Sequence, residues 1–68
     1  MSIESHNLLR YIKDKIDELR KEQGVYLAGG GAKDFAEYRD VCGAIRGLAI
    51  ARREVADLAK HVQDIEEN

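Results

Sequence analysis

Proline and tryptophan are absent from this 68-residue chain, and cysteine, phenylalanine and methionine occur once each. Without proline the strongest helix breaker is missing, so nothing in the composition forces a stop inside a helical stretch. The single cysteine, Cys42, cannot form an internal disulfide, and a lone thiol fits synthesis in a reducing compartment. No stretch reaches the ~20 apolar residues that crossing a bilayer takes. Met1-Ser2-Ile3-Glu4 lacks the basic and apolar blocks of a signal peptide, so a soluble protein with no membrane partner is expected. A dominant charge is missing too. Eleven Lys and Arg stand against 13 Asp and Glu, for a net charge of −2, with the excess acid in Asp64, Glu66 and Glu67. That balance argues against a nucleic-acid partner, which normally demands a basic face.

What the chain has in quantity is helical pattern. Val41, Ala44, Leu48, Ala51, Val55, Leu58, Val62 and Ile65 alternate spacings of three and four, and all are apolar. Such a heptad stripe is the pattern by which helices pack on helices. The stripe predicts a helix over about 34–65, with Asp34 as N-cap and Glu37 completing a capping-box-like pair. An earlier amphipathic segment, Leu9, Ile12, Ile16 and Leu19 with Leu8 beside them, predicts a helix over about 3–23. Ser2 or Ser5 would cap its start, and Gly24 would close it after Arg20 and Lys21. Between them, 24–32 reads as a glycine-rich loop. Val25 and Leu27 would fold back on the hairpin there, or Tyr26 would project as a contact.

The expected fold is all-α: an antiparallel two-helix hairpin with a longer second helix, completed by oligomerisation or by docking on a partner. At 1.5 Å per residue the second helix would span about 48 Å and the first about 30 Å. The last third of the second helix, with Val55, Leu58, Val62 and Ile65, would then be partly uncovered, and an uncovered apolar stripe is an association site. A domain of this size buries only about 60% of its unfolded surface, which adds to the need for a partner. Cys42, Ile45, Ala49, Ala56 and Ala59 form a second apolar face. Gly43 and Gly47 sit one turn apart, where small residues let a backbone approach closely. Either the first helix or another neighbour would use that space.

Candidate chemistry is sparse. Gly29-Gly30-Gly31-Ala32-Lys33 looks like a phosphate-binding loop, but a strand and a Lys-Ser or Lys-Thr step are required, and Asp34 follows Lys33. Nothing positions Cys42 with His6 or His61 as nucleophile and base, and no spacing suits a metal, so no cofactor and no enzymatic activity are expected. Among Arg46, Arg52 and Arg53, Arg52 borders the seam and would pair either across an interface or within the hairpin. The candidate site is therefore an interaction surface: Leu48, Ala51, Arg52, Val55, Leu58, Val62 and Ile65, with Tyr26 from the loop.

The segment Glu37-Tyr38-Arg39-Asp40-Val41-Cys42-Gly43-Ala44-Ile45-Arg46-Gly47-Leu48, with Ala51-Arg52 and Asp57-Leu58 after it, resembles a pattern in short proteins of tailed bacteriophages. The shared part is a Tyr…Gly-x-Ile-Arg-Gly-Leu core in a long second helix, and it covers about half the chain. The resemblance implies a phage setting: host cytoplasm or virion, with capsid, portal or tail components as partners. A small regulator that inhibits a host protein is the alternative. Self-association is compatible with both.

Overall fold

The computed structural model describes the backbone of residues 3–67 and the side chains of residues 7–65. Two helices, α1 (Ile3–Ala28) and α2 (Phe35–Glu67), pack antiparallel into one hairpin, and no strand occurs among the described residues. The body measures 52 × 15 × 11 Å. The start of α1 at Ile3 places Ser5 inside the helix, so it is not the N-cap; Ser2 lies outside the described residues.

The first helix outlasts its expected end at Gln23 by more than a turn. Gly24 is helical and exposed, and a Cβ placed on it would meet nothing within 4 Å. The stop falls instead at the triple glycine. The Gly31 amide donates to the Tyr26 carbonyl at 2.9 Å, and the Gly30 amide to the Leu27 carbonyl at 3.1 Å. These are the two bonds of a Schellman closure, whose C′ residue must be left-handed. Gly30 meets that need with φ 78°. Gly24 could not have closed the helix as well, because ending there would have left Leu27 off α2. Instead Leu27 is half-buried. The loop is thus 29–34, not 24–32.

The start of α2 follows expectation closely. The Glu37 amide donates to Asp34 Oδ1 at 2.8 Å, and the Lys33 amide donates to Glu37 Oε2 at 3.2 Å. The first bond satisfies a donor that the first helical turn leaves without a backbone partner, and the second carries the Glu37 carboxylate back to the residue before the cap.

The packing seam differs from the one the apolar spacing suggests. On α1 the residues turned to α2 are Leu9, Lys13, Ile16, Arg20, Gln23 and Leu27, again alternating four and three. Ile12 is 37% exposed and Leu19 45%. On α2 the seam is Val41, Ile45, Leu48, Arg52, Val55, Ala59 and Val62. Only one line of the heptad stripe, Val41, Leu48, Val55 and Val62, is shared with expectation. Ile45, Arg52 and Ala59 replace Ala44, Ala51 and Leu58 as its companions. The polar members of the seam cover apolar neighbours with their aliphatic stems. A polar contact holds this rotation: Arg52 Nε donates to Asp17 Oδ1 at 2.7 Å, and Arg20 Nη1 lies 3.9 Å from the same oxygen.

Coverage also differs from expectation. With 26 residues against 33, α1 runs about 39 Å beside a helix of about 50 Å. The expected bare tail is therefore shorter, and Val62, at 1% exposed, is the most deeply buried side chain described. Only Ile16 joins it in the buried class.

The glycine assignments make opposite predictions. Gly24→Ala should stabilise the chain by about 1 kcal/mol, since a helical glycine in open space loses only backbone entropy. For a domain this small that is a rise of roughly 4–8 °C in Tm. Gly30→Ala should destabilise by about 1–2 kcal/mol, the cost of a left-handed alanine. Thermal circular dichroism at one fixed chain concentration reads both; a helix that ended at Gly24 would reverse the first sign.

Candidate interaction surface

The apolar residues left outside the seam are not scattered. A straight α-helix turns about 100° per residue, so Leu8, Ile12, Leu19 and Tyr26 form a stripe about a quarter-turn from the α1 seam. These four are 58%, 37%, 45% and 41% exposed. On α2, Ala44, Ala51, Leu58 and Ile65 lie about a quarter-turn from the α2 seam, with Gly47 between the first two. Leu58 and Ile65 are half-exposed.

Handedness decides where the two stripes go. Viewed down α1 from its N-terminus, side chains advance clockwise; along the antiparallel α2 they advance anticlockwise. Each stripe precedes its own seam in that order of turning. Both therefore fall on the same broad side of the hairpin and together make one apolar flank. The Asp17–Arg52 bond fixes their relative level, setting Leu19 beside Ala51 and Ile12 beside Leu58.

This geometry sorts the residues expected to associate. Leu58, Ile65 and Ala51 belong to the flank. Leu48, Val55 and Val62 are turned into the hairpin seam and are not available as an outer surface. Arg52 is part of the intrachain seam through Asp17, which settles its two expected alternatives for pairing within the hairpin. Of the second apolar face, Ile45 and Ala59 enter the seam, while Cys42, Ala49 and Ala56 sit half-buried on the side away from the flank. Gly43 and Gly47 do not accommodate α1: a Cβ on either would meet nothing within 4 Å.

Tyr26 is a helical residue, not a projecting loop contact. Its hydroxyl donates to Glu37 Oε1, tying the last turn of α1 to the first turn of α2. Its ring lies where a Cβ on Gly31 would come within 2.5 Å, so only glycine fits beneath it. The bond to the Glu37 carboxylate raises the Tyr26 phenol above its ordinary 10.0, with smaller contributions from desolvation and from the same negative charge. Tyr38, stacked at 6.4 Å on Phe35, is raised likewise by its neighbour Cys42.

One feature escaped the sequence reading. Arg39, Arg46, Arg53 and Lys60 recur every seventh residue and are all exposed. They line the side of α2 turned away from the apolar flank, where Asp57 and Asp64 alternate with the last of them, so that side of the hairpin is charged. A count of spacings among basic residues would have found it.

The arrangement offers little to chemistry. Cys42 and His61, on one helix, are about 28 Å apart. The side chain of His6 lies outside the described residues. Among the described residues no three His, Cys, Asp or Glu side chains group so as to hold a metal ion, and no helix is long and apolar enough to cross a membrane. Comparison with known proteins finds no matching family model, no similar curated protein and no similar solved structure.

Two outcomes follow for the polar contacts. Because the folded state raises the Tyr26 pKa, its contribution is complete below pH 10 and is lost as pH rises through the folded value. Tyr26→Phe should therefore lower Tm at pH 8, and the gap to the wild type should close above pH 10; a gap that persists there would assign the effect to packing. For Arg52 and Asp17, whose side chains are 38% and 39% exposed, solvent screening limits the coupling to about 0.2–1 kcal/mol. A double-mutant cycle with Asp17→Asn and Arg52→Gln should show it, reduced at high salt.

Proposed function

We propose that this chain is a non-enzymatic assembly protein that works by presenting an apolar helical flank to another protein. The observation that carries the reading is the placement of Leu8, Ile12, Leu19, Leu58 and Ile65 on one side of a hairpin that buries only Ile16 and Val62 among its described side chains. Contiguous exposed apolar surface marks a protein contact. Catalysis is the weaker reading, since the one thiol and the described imidazole stand far apart, and the Tyr26 hydroxyl on the Glu37 carboxylate serves to tie the helix ends together.

The biological setting rests on the resemblance of the Tyr38 to Leu48 segment to short tailed-phage proteins. It points to a part in building the particle, on capsid, portal or tail components, inside the host cell or within the virion. Mass spectrometry of particles purified through a density gradient tests that setting. The chain should be present at a fixed ratio to the capsid protein. Its absence from particles, with recovery in a fixed ratio to one host enzyme instead, would replace assembly with host-directed regulation.

A further inference from the structure

A groove of about 350 Å³ runs between the helices near the end remote from the turn, on the side of the hairpin away from the apolar flank. Ala56 and Ala59 create it. Both stop at Cβ, so α2 leaves a gap beside Leu9 and Val55, and all four residues are half-buried. The rim is cationic: Arg10 and Lys13 stand on the α1 side and Lys60 on the α2 side, and no described Asp or Glu lines the groove. Lys13 lies 4.0 Å from Asp14, whose side chain is 66% exposed. Arg10 and Lys60 are exposed and take part in no ion pair among the described residues. Asp57 and Asp64 neighbour Lys60 along the chain but lie further round α2, on its outer edge.

Positive charges around an apolar floor set the chemistry of an occupant: an apolar group with carboxylates beside it. What carries that group follows from the shape of the hairpin. Its two narrow dimensions are 15 and 11 Å, a single layer of two helices. Sites for small molecules bury about 70–90% of the ligand. A groove on one side of a single layer leaves the outer half of any occupant in water, so the occupant must bring its own cover. A helix of another protein does so, with one row of side chains entering the groove and its body closing it from above.

We propose that the groove receives an acidic amphipathic helix of a partner protein, with an apolar side chain over Ala56 and Ala59 and carboxylates facing Arg10, Lys13 and Lys60. Arg10 and Lys13 are about 4.5 Å apart along α1, close to the ~5.4 Å turn of an incoming helix. Carboxylates three or four residues apart on the partner therefore meet these cations in register. Arg10 adds a fork that can hold one carboxylate through two bonds. Groove and flank lie on opposite sides of the hairpin, so this contact is additional to the one proposed above and does not depend on what covers the flank.

The test uses the full chain and two helical peptides of about 18 residues that differ only in charge, one with glutamates beside its leucine row and one with lysines there. Each carries a neutral dye, and binding is read by fluorescence anisotropy. The glutamate peptide should bind saturably and about tenfold or more tightly than the lysine peptide. Arg10→Glu with Lys60→Glu should reverse that order, and circular dichroism checks that this chain, altered at two exposed positions, keeps its helices. Ala56→Leu, which fills the groove without adding charge, should weaken the glutamate peptide by about fivefold or more. Equal binding of the two peptides, or no saturable binding of either, overturns the proposal. So does displacement of the glutamate peptide by an equal concentration of octanoate, which would make the occupant a small anionic amphiphile. Loss of binding in Leu58→Ser, with the groove variants unaffected, also overturns it and assigns the contact to the flank, leaving the function proposed above intact.

Discussion

Two helices share one seam, and each buries only the stripe that lies on it. The rest of this structure depends on that constraint, because both helices carry an apolar arc wider than a stripe. On α1 the arc runs from Leu9 and Ile16 round to Leu8, Ile12 and Leu19; on α2 it runs from Ile45 and Ala59 through Val55 to Leu58 and Ile65. The hairpin uses one edge of each arc. It leaves the other edges on the same side, which follows from two right-handed helices running in opposite directions. The contact between Arg52 and Asp17 at 2.7 Å accompanies this choice. Turning either helix to bury Leu19 or Leu58 would pull those two groups apart, and turning α1 would also carry the stems of Lys13 and Arg20 out of the seam.

The turn enforces the same rotation from the other end. Gly30 supplies the left-handed residue and Gly31 the space for the Tyr26 ring, while Glu37 accepts from both the Tyr26 hydroxyl and the Lys33 amide. One carboxylate thus takes part in capping α2 and in tying α1 to it. The extension of α1 through Val25, Tyr26 and Leu27 is what brings the phenol within reach. A helix closed at Gly24 would have left Glu37 with its capping role alone and a looser turn.

These details show which parts of the fold could be read from residues alone. The two helices, their order and the Asp34–Glu37 cap were legible because periodicity and capping are local properties. The end of α1 was not. Gly24 and Gly30 are equally good glycines locally, and the choice between them is made by tertiary contacts of Tyr26 and Leu27. The seam was half legible: Val41, Leu48, Val55 and Val62 lie at the centre of the arc and are inward under either rotation. Whether Ala44, Ala51 and Leu58 or Ile45, Arg52 and Ala59 accompany them depends on which edge α1 occupies, and a heptad count cannot distinguish the edges. Arg52 was hardest to place, since an arginine beside an apolar stripe suits an intrachain pair and an interface equally well.

The surface has two sides of opposite chemistry, and the division has a physical consequence. Arg39, Arg46, Arg53 and Lys60 follow one heptad line of α2, and Ala44, Ala51, Leu58 and Ile65 follow another on its far side. Covering the apolar line removes none of the charged one from water. The glycines bear on the same point. A hairpin shaped only for its own stability would carry alanine at positions 43 and 47, where a Cβ meets nothing and helix propensity favours it by about 1 kcal/mol at each site. Neither glycine is explained by the packing of α1 on α2.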